Sequence, residues 1–257
     1  MKPALFTSTG LQKHFGGVRA VDGVNLAIEH GQVVGLIGPN GAGKTSCFNL
    51  ITGLYTPDAG QFTFNGKPYK PSSPNEVARM GIARTFQNIR LFNSMTALEN
   101  VCVGMHCRTG QGVLGAVFRT PAQRREEQRI REQAMALLNY VGIAQYADYL
   151  ATQLSYGDQR RLEIARALAS NPQVLALDEP AAGMNATEKL KLRELLQRIR
   201  EDGKSILLIE HDVKLVMGIC DQVTVLDYGK VIAQGTPAHV QQSPAVIEAY
   251  LGGLHHG

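Results

Sequence analysis

Residues 38–46 read Gly38-Pro39-Asn40-Gly41-Ala42-Gly43-Lys44-Thr45-Ser46. These residue types in this order suit the binding of a polyphosphate. Gly38, Gly41 and Gly43 allow backbone conformations that a Cβ would block. Successive N–H groups then point inward as a nest for phosphate oxygens, and a following helix turns its positive end to the same anion. Lys44 would neutralise the β- and γ-phosphates, and the Thr45 hydroxyl would ligate Mg²⁺. The pattern G-x-x-x-x-G-K-[ST] is informative only between a strand and a helix. It has that setting here: Gln32–Ile37 is a short apolar strand, and 44–52 is a helix stopped by Gly53.

A second group follows in Val174-Leu175-Ala176-Leu177-Asp178-Glu179. Acids at the carboxyl end of a buried parallel strand face the crevice where such sheets bind ligands. Asp178 is placed to hold a magnesium shell, and Glu179 to polarise an attacking water as general base. Standing alone, the same pair would equally cap the next turn; the phosphate loop upstream favours catalysis.

These residues need a scaffold. Short apolar stretches at 5–7, 18–21 and 24–28 predict an antiparallel β region, with two further strands at 61–65 and near Pro68. Residues 88–170 are mostly helical in pattern, interrupted by a Gly-rich stretch at 109–116. The charged run 124–133, opened by Pro121, reads as a solvated helix face. From Val174 strands alternate with helices again: VLALD, a helix over 186–200, SILLIEH, another helix, QVTVLDYG and KVIAQG. That alternation implies a mainly parallel sheet covered on both faces.

Composition sets the bounds. The chain has 257 residues, 44% hydrophobic and 19% charged, with 26 basic and 22 acidic side chains and a net charge of +4. This excludes general disorder. The mild positive charge suits a nucleotide or an anionic surface and is too weak to argue for nucleic acid. Apolar runs such as 206–209 fall far short of the ~18–20 residues of a membrane span. The N-terminal stretch lacks the long apolar core of a secretory signal, so the chain is expected to stay in the cytoplasm. Cys47, Cys102, Cys107 and Cys220 are scattered and read as reduced, incidental thiols.

Three further elements narrow the choice among nucleotide-binding chains. Gln87 lies in Arg84-Thr-Phe-Gln-Asn88, Leu154-Ser-Tyr-Gly-Asp158-Gln159 precedes the acidic motif, and His211 ends the strand over 206–210. In this order and spacing the chain resembles the ATPase subunit of ATP-binding cassette transporters. The resemblance implies one cassette over 1–257: a P-loop NTPase α/β core with a mainly parallel sheet (1–87 and 171–257), an N-terminal antiparallel β subdomain and an inserted helical subdomain (88–170). It implies ATP and Mg²⁺ as cofactors, with Thr45, Gln87 and Asp178 at the metal. It further assigns Gln87 as γ-phosphate sensor, Glu179 as base and His211 as holder of the attacking water. Ser155 and Gly157 would bind the nucleotide of a second subunit in a head-to-tail dimer. An aromatic stacks on adenine in the family, and Phe15 stands at the fitting distance; taken alone it would more often be core. Tyr156 and Asp158 depart from the family's Leu-Ser-Gly-Gly-Gln, and Asn185 stands where many relatives carry Asp. Asp158, three residues after Ser155, fits helix capping.

The Tyr-Gly-Asp-Gln-Arg-Arg-Leu-Glu signature, the run 84–92, the stretch 208–218 and the ending 245–252 resemble the larger ATPase of branched-chain amino acid importers. Urea, amide and lipopolysaccharide transporters use similar chains, and a soluble ATPase acting on ribosomes or DNA stays open; a non-hydrolysing nucleotide-binding subunit is disfavoured because Glu179 and His211 are both intact. The implied partners are two membrane permeases, a second ATPase subunit and, indirectly, a periplasmic binding protein, with no nucleic acid. The implied location is the cytoplasmic face of the inner membrane, held peripherally. Docking would fall on Ile89, Arg90, Leu91, Phe92 and nearby Met95, although Leu91 and Phe92 would also serve as core of the helical block.

Overall fold

The computed structural model describes residues 4–71, 73–106 and 121–252. The expected Gly-rich stretch at 109–116 and Cys107 lie outside the described residues. Three unbroken apolar runs form the centre: β3 (Val33–Ile37), β7 (Val174–Asp178) and β8 (Ser205–Ile209), every residue of them buried. Their side chains alternate faces with period two. Val33, Ile37, Leu175, Leu177, Ile206 and Leu208 enter one core; Val34, Leu36, Val174, Ala176, Leu207 and Ile209 enter the other. A strand apolar on both faces is the mark of a covered parallel sheet.

Six strands make that sheet. From one edge it runs β10 (Lys230–Gly235), β9 (Gln222–Asp227), β3, β8, β7 and β6 (Ile82–Arg84). All neighbours are parallel except β10 and β9. On one face the sheet packs against α1 (Lys44–Ile51) and an antiparallel sheet in the order β2 (Val18–Ile28), β1 (Phe6–Phe15), β4 (Ala59–Phe64), β5 (Lys67–Tyr69). On the other face lie α3 (Ala97–His106), α4 (Pro121–Tyr140), α5 (Tyr156–Ala169), α6 (Ala186–Glu201) and α7 (Val213–Ile219). The charged run of α4 is largely exposed from 125 to 133, while Ala134 and Leu138 are buried.

Two expectations are revised. The stretches 18–21 and 24–28 form one strand: Gly23, at φ 76, is a bulge where the pairing passes from Leu11 with Val24 to Gln12 with Asp22. The strand before His211 ends at Ile209, because Glu210 turns to bind loop amides. Helix α2 (Pro74–Met80) and β6 were not foreseen. Ser73 caps α2 by accepting from the Glu76 N–H, and Gly81 ends it at φ 115.

Candidate functional site

Four neighbouring parallel strands open onto one edge of the sheet. β3 leads into the phosphate loop, β8 into Glu210 and His211, β7 into Glu179, and β6 toward Gln87. This is the carboxyl-end crevice where open α/β sheets bind ligands.

Within the loop 38–43, close backbone neighbours leave no room for a side chain at Gly38 or Gly43. Gly38 has φ 151, and a Cβ there would sit 2.1 Å from the Leu226 carbonyl oxygen; at Gly43, φ 94, it would sit 2.1 Å from that of Ala20. Lys44 Nζ is buried and donates to the carbonyls of Gly38 and Pro39, each at 2.8 Å. Burial pulls its pKa down, against the opposing pull of Glu179 and Asp178. Asn40, Gly41 and Thr45 are exposed, Pro39, Gly43 and Ser46 half-buried, and Ala42 buried.

Asp178 is buried beside this cradle, and burial pushes its pKa up to about 6 although the charge of Arg84 opposes the rise. Its Oδ1 has no hydrogen-bond partner among the described residues. A buried, unpaired carboxylate oxygen is costly unless something else meets it. It offers a hard oxygen donor of the kind that Mg²⁺ takes. No group of three or more His, Cys, Asp or Glu side chains is arranged for a metal among the described residues.

Glu179 is the meeting point. It leaves β7 with φ 47, an unusual conformation for a non-glycine residue, fixed by its N–H donating to Ile209 O at 2.9 Å. Gln87 Nε2 donates to Glu179 Oε2 at 3.0 Å, and His211 Nε2 lies 2.7 Å from Oε1. Three residues from three loops, distant in sequence, thus share one carboxylate.

Ser155, Gly157 and Phe15 lie elsewhere. Ser155 caps α5: Oγ accepts from the Asp158 N–H at 3.2 Å and donates to Asp158 Oδ2 at 2.7 Å. Asp158 therefore serves capping. Gly157 is buried, and a Cβ there would come 2.8 Å from Glu188 Oε1. Tyr156 packs its ring over Gly183, so the departure from glycine fills space within this subunit. Asn185 and Glu188 form a reciprocal cap at the start of α6. Phe15 is 44% exposed, edge-to-face with Tyr55 at 5.3 Å; it is surface, not core.

Sequence reasoning missed four residues that hold these groups. Buried Glu210 accepts from the N–H groups of Ala181, His211 and Asp212, tying the Glu179 and His211 loops together. Its only signal is an acid at the end of an apolar strand. Buried Asn100 binds both backbone groups of Phe92, leaving the Phe92 ring 45% exposed. Arg160 and Glu163, both buried in α5, grip the backbone around Gln87.

Comparison with known proteins gives the family. The ABC transporter family model matches residues 21–182. The chain belongs to the ATP-binding cassette transporter family. A second model, described as a branched-chain amino acid ATP-binding cassette transporter, matches residues 230–256 of the cassette. It is 46% identical over 253 residues to the high-affinity branched-chain amino acid transport ATP-binding protein BraF of Pseudomonas aeruginosa, covering 98% of this chain and 99% of BraF. It is 44% identical, with the same coverage, to LivG of Escherichia coli, which carries the same description. The crystal structure of an ATP-binding cassette of an ABC transporter in its ADP conformation superposes with a TM-score of 0.85 at 32% identity, covering 98% of this chain and all of that one. Among the described residues no helix of the cassette is long and apolar enough to cross a membrane.

Proposed function

We propose that this cassette is the ATP-hydrolysing subunit of an importer of branched-chain amino acids, acting as a head-to-tail dimer closed by ATP. The observation that carries the hydrolytic part is the convergence of Gln87 and His211 on Glu179, beside Lys44 and Asp178. The likeness to BraF and LivG, and the match over 230–256, support the substrate class.

In this reading the loop 38–46 cradles the phosphates and Lys44 turns from the Gly38 and Pro39 carbonyls toward them. Thr45, Gln87 and Asp178 would hold Mg²⁺, which supplies charge neutralisation on the β- and γ-phosphates. Glu179 accepts a proton from the attacking water; Gln87 and His211 orient its two oxygens, and His211 also reaches the γ-phosphate. Phe15, exposed at the end of β1, stacks on adenine. Exposed Ser155, with Gly157 behind it, faces the nucleotide of the second ATPase subunit. Residues 88–170 act as the helical subdomain, inserted between the core segments 1–87 and 171–257. Two permeases dock on 89–92 and Met95, where Phe92 stands exposed, and so hold the cassette peripherally at the cytoplasmic face of the inner membrane. A periplasmic binding protein delivers substrate to them from the far side.

The test is reconstitution with the permeases and periplasmic binding protein of a branched-chain amino acid importer from the same source. ATP-dependent uptake of leucine, isoleucine or valine into vesicles is expected. Turnover that drives uptake of urea or an amide instead would overturn the substrate class, and failure to associate with membrane subunits would overturn the transport role.

A further inference from the structure

Arg160 and Glu163 lie on one face of α5, each 1% exposed and 3.0 Å apart. A buried ion pair is a poor stabilising device, because desolvating two charges costs about what their attraction returns. This pair spends its hydrogen bonds on a neighbouring loop. The Arg160 guanidinium donates to the Phe86 carbonyl at 2.5 Å and to the Gln87 carbonyl. Glu163 Oε1 accepts from the N–H of Phe86 at 3.2 Å and, at longer range, from that of Arg90 at 3.5 Å. Two side chains thus meet four backbone groups of a segment with no regular structure. The planar fork of arginine suits two successive carbonyls, as the single point of a lysine does not.

The clamp has an end in each direction. One turn earlier, Arg160 also donates to the Tyr156 hydroxyl at 3.2 Å, next to Ser155. Beyond the clamp, Gln87 Nε2 reaches Glu179 Oε2 at 3.0 Å. We propose that Arg160 and Glu163 are positioning residues that fix the glutamine segment to α5, so that contacts made at Ser155 set the approach of Gln87 to Glu179. The proposal rests on Glu179 being the base. It gives the second subunit's nucleotide, bound at Ser155, a physical route to this subunit's own catalytic carboxylate.

The test uses the full chain and Arg160→Lys, which keeps a charge opposite Glu163 but removes the fork. Turnover is expected to fall by up to roughly a hundredfold, as for a misplaced catalytic group, with ATP affinity and melting temperature near wild type. Combined with Gln87→Ala, Arg160→Lys should add no further loss, because it acts through Gln87. Glu163→Gln keeps the shape but leaves the buried Arg160 charge without its counter-charge, so turnover should fall alike while the melting temperature also falls. Wild-type turnover in Arg160→Lys would overturn the proposal, as would a loss that adds to that of Gln87→Ala. It falls equally if ATP affinity drops in step with melting temperature, or if neither conservative variant folds, since the pair is then structural. A wild-type chain that hydrolyses no ATP defeats the parent reading, and this one with it.

Discussion

The phosphate loop and the glutamine segment flank the same crevice and are built by opposite means. The loop 38–43 holds itself: its shape comes from its own glycines, from close backbone neighbours at Leu226 and Ala20, and from Lys44 folding back onto its carbonyls. The segment 86–92 is held from outside, by Arg160 and Glu163 of α5 at one end and by Asn100 of α3 at the other. The first is pre-formed. The second takes its position from the helices and so can report on them.

Changes at the two places should therefore separate binding from communication. The largest effect on nucleotide binding is expected for Lys44→Ala, which removes a charged donor from a buried site. ATP affinity measured by calorimetry should fall by roughly ten- to a hundredfold, the worth of one charge-assisted hydrogen bond, with association to membrane subunits unchanged. Unchanged ATP affinity would break the assignment of the loop.

Asp178→Asn stands between the two regions and has two signs. Burial raises the carboxyl from 3.8 to about 6 in the folded chain. The folded state thus binds more protons than the unfolded one between those values, and this group makes the nucleotide-free chain less stable as pH rises through that window. Removing the charge should raise the melting temperature of nucleotide-free protein at pH 7.5 by a few degrees, about 1 kcal/mol or more for a chain of this size. The extra stabilisation that Mg²⁺ adds to ATP should vanish. In wild type that Mg²⁺ effect should grow as pH rises toward and past 6. Melting curves at several pH values, with and without Mg²⁺-ATP, would show it; a lower melting temperature for nucleotide-free Asp178→Asn would contradict the burial argument.

The smallest effect on the isolated chain is expected for Phe92→Ala. Its ring is 45% exposed, with the Arg166 guanidinium 5.7 Å from its centroid. Loss of an exposed aromatic anchor should weaken permease association by roughly tenfold or more, and leave ATP affinity intact. Unfolding of the isolated subunit, or unimpaired transport in vesicles, would remove the docking assignment.

The same contrast explains what the sequence revealed. Gly38 to Ser46 was legible because its chemistry is local: the strand, the turn and the helix follow one another. Asp178 and Glu179 were legible as the end of an apolar strand. The alternation of β7, α6, β8, α7 and β9 was plain from unbroken apolar runs between helical patterns. Strand β6 was missed because three residues, Ile82–Arg84, are too few to show a period. The Gly23 bulge was mistaken for a turn because a glycine at positive φ serves both. Arg160 and Glu163 looked like ordinary helix charges, since nothing local says they are buried against a loop over 70 residues away. Likewise, that Gln87 and His211 meet on one carboxylate follows from the order of the strands.

The central claim is that Glu179 is the base, held by those two partners. The direct measurement is ATP turnover and ATP binding by Glu179→Gln. Loss of the base with shape retained should cut turnover by roughly a hundredfold or more, while ATP still binds and an ATP-bound dimer accumulates on gel filtration. Turnover near wild type in a clean preparation of this variant would contradict the account.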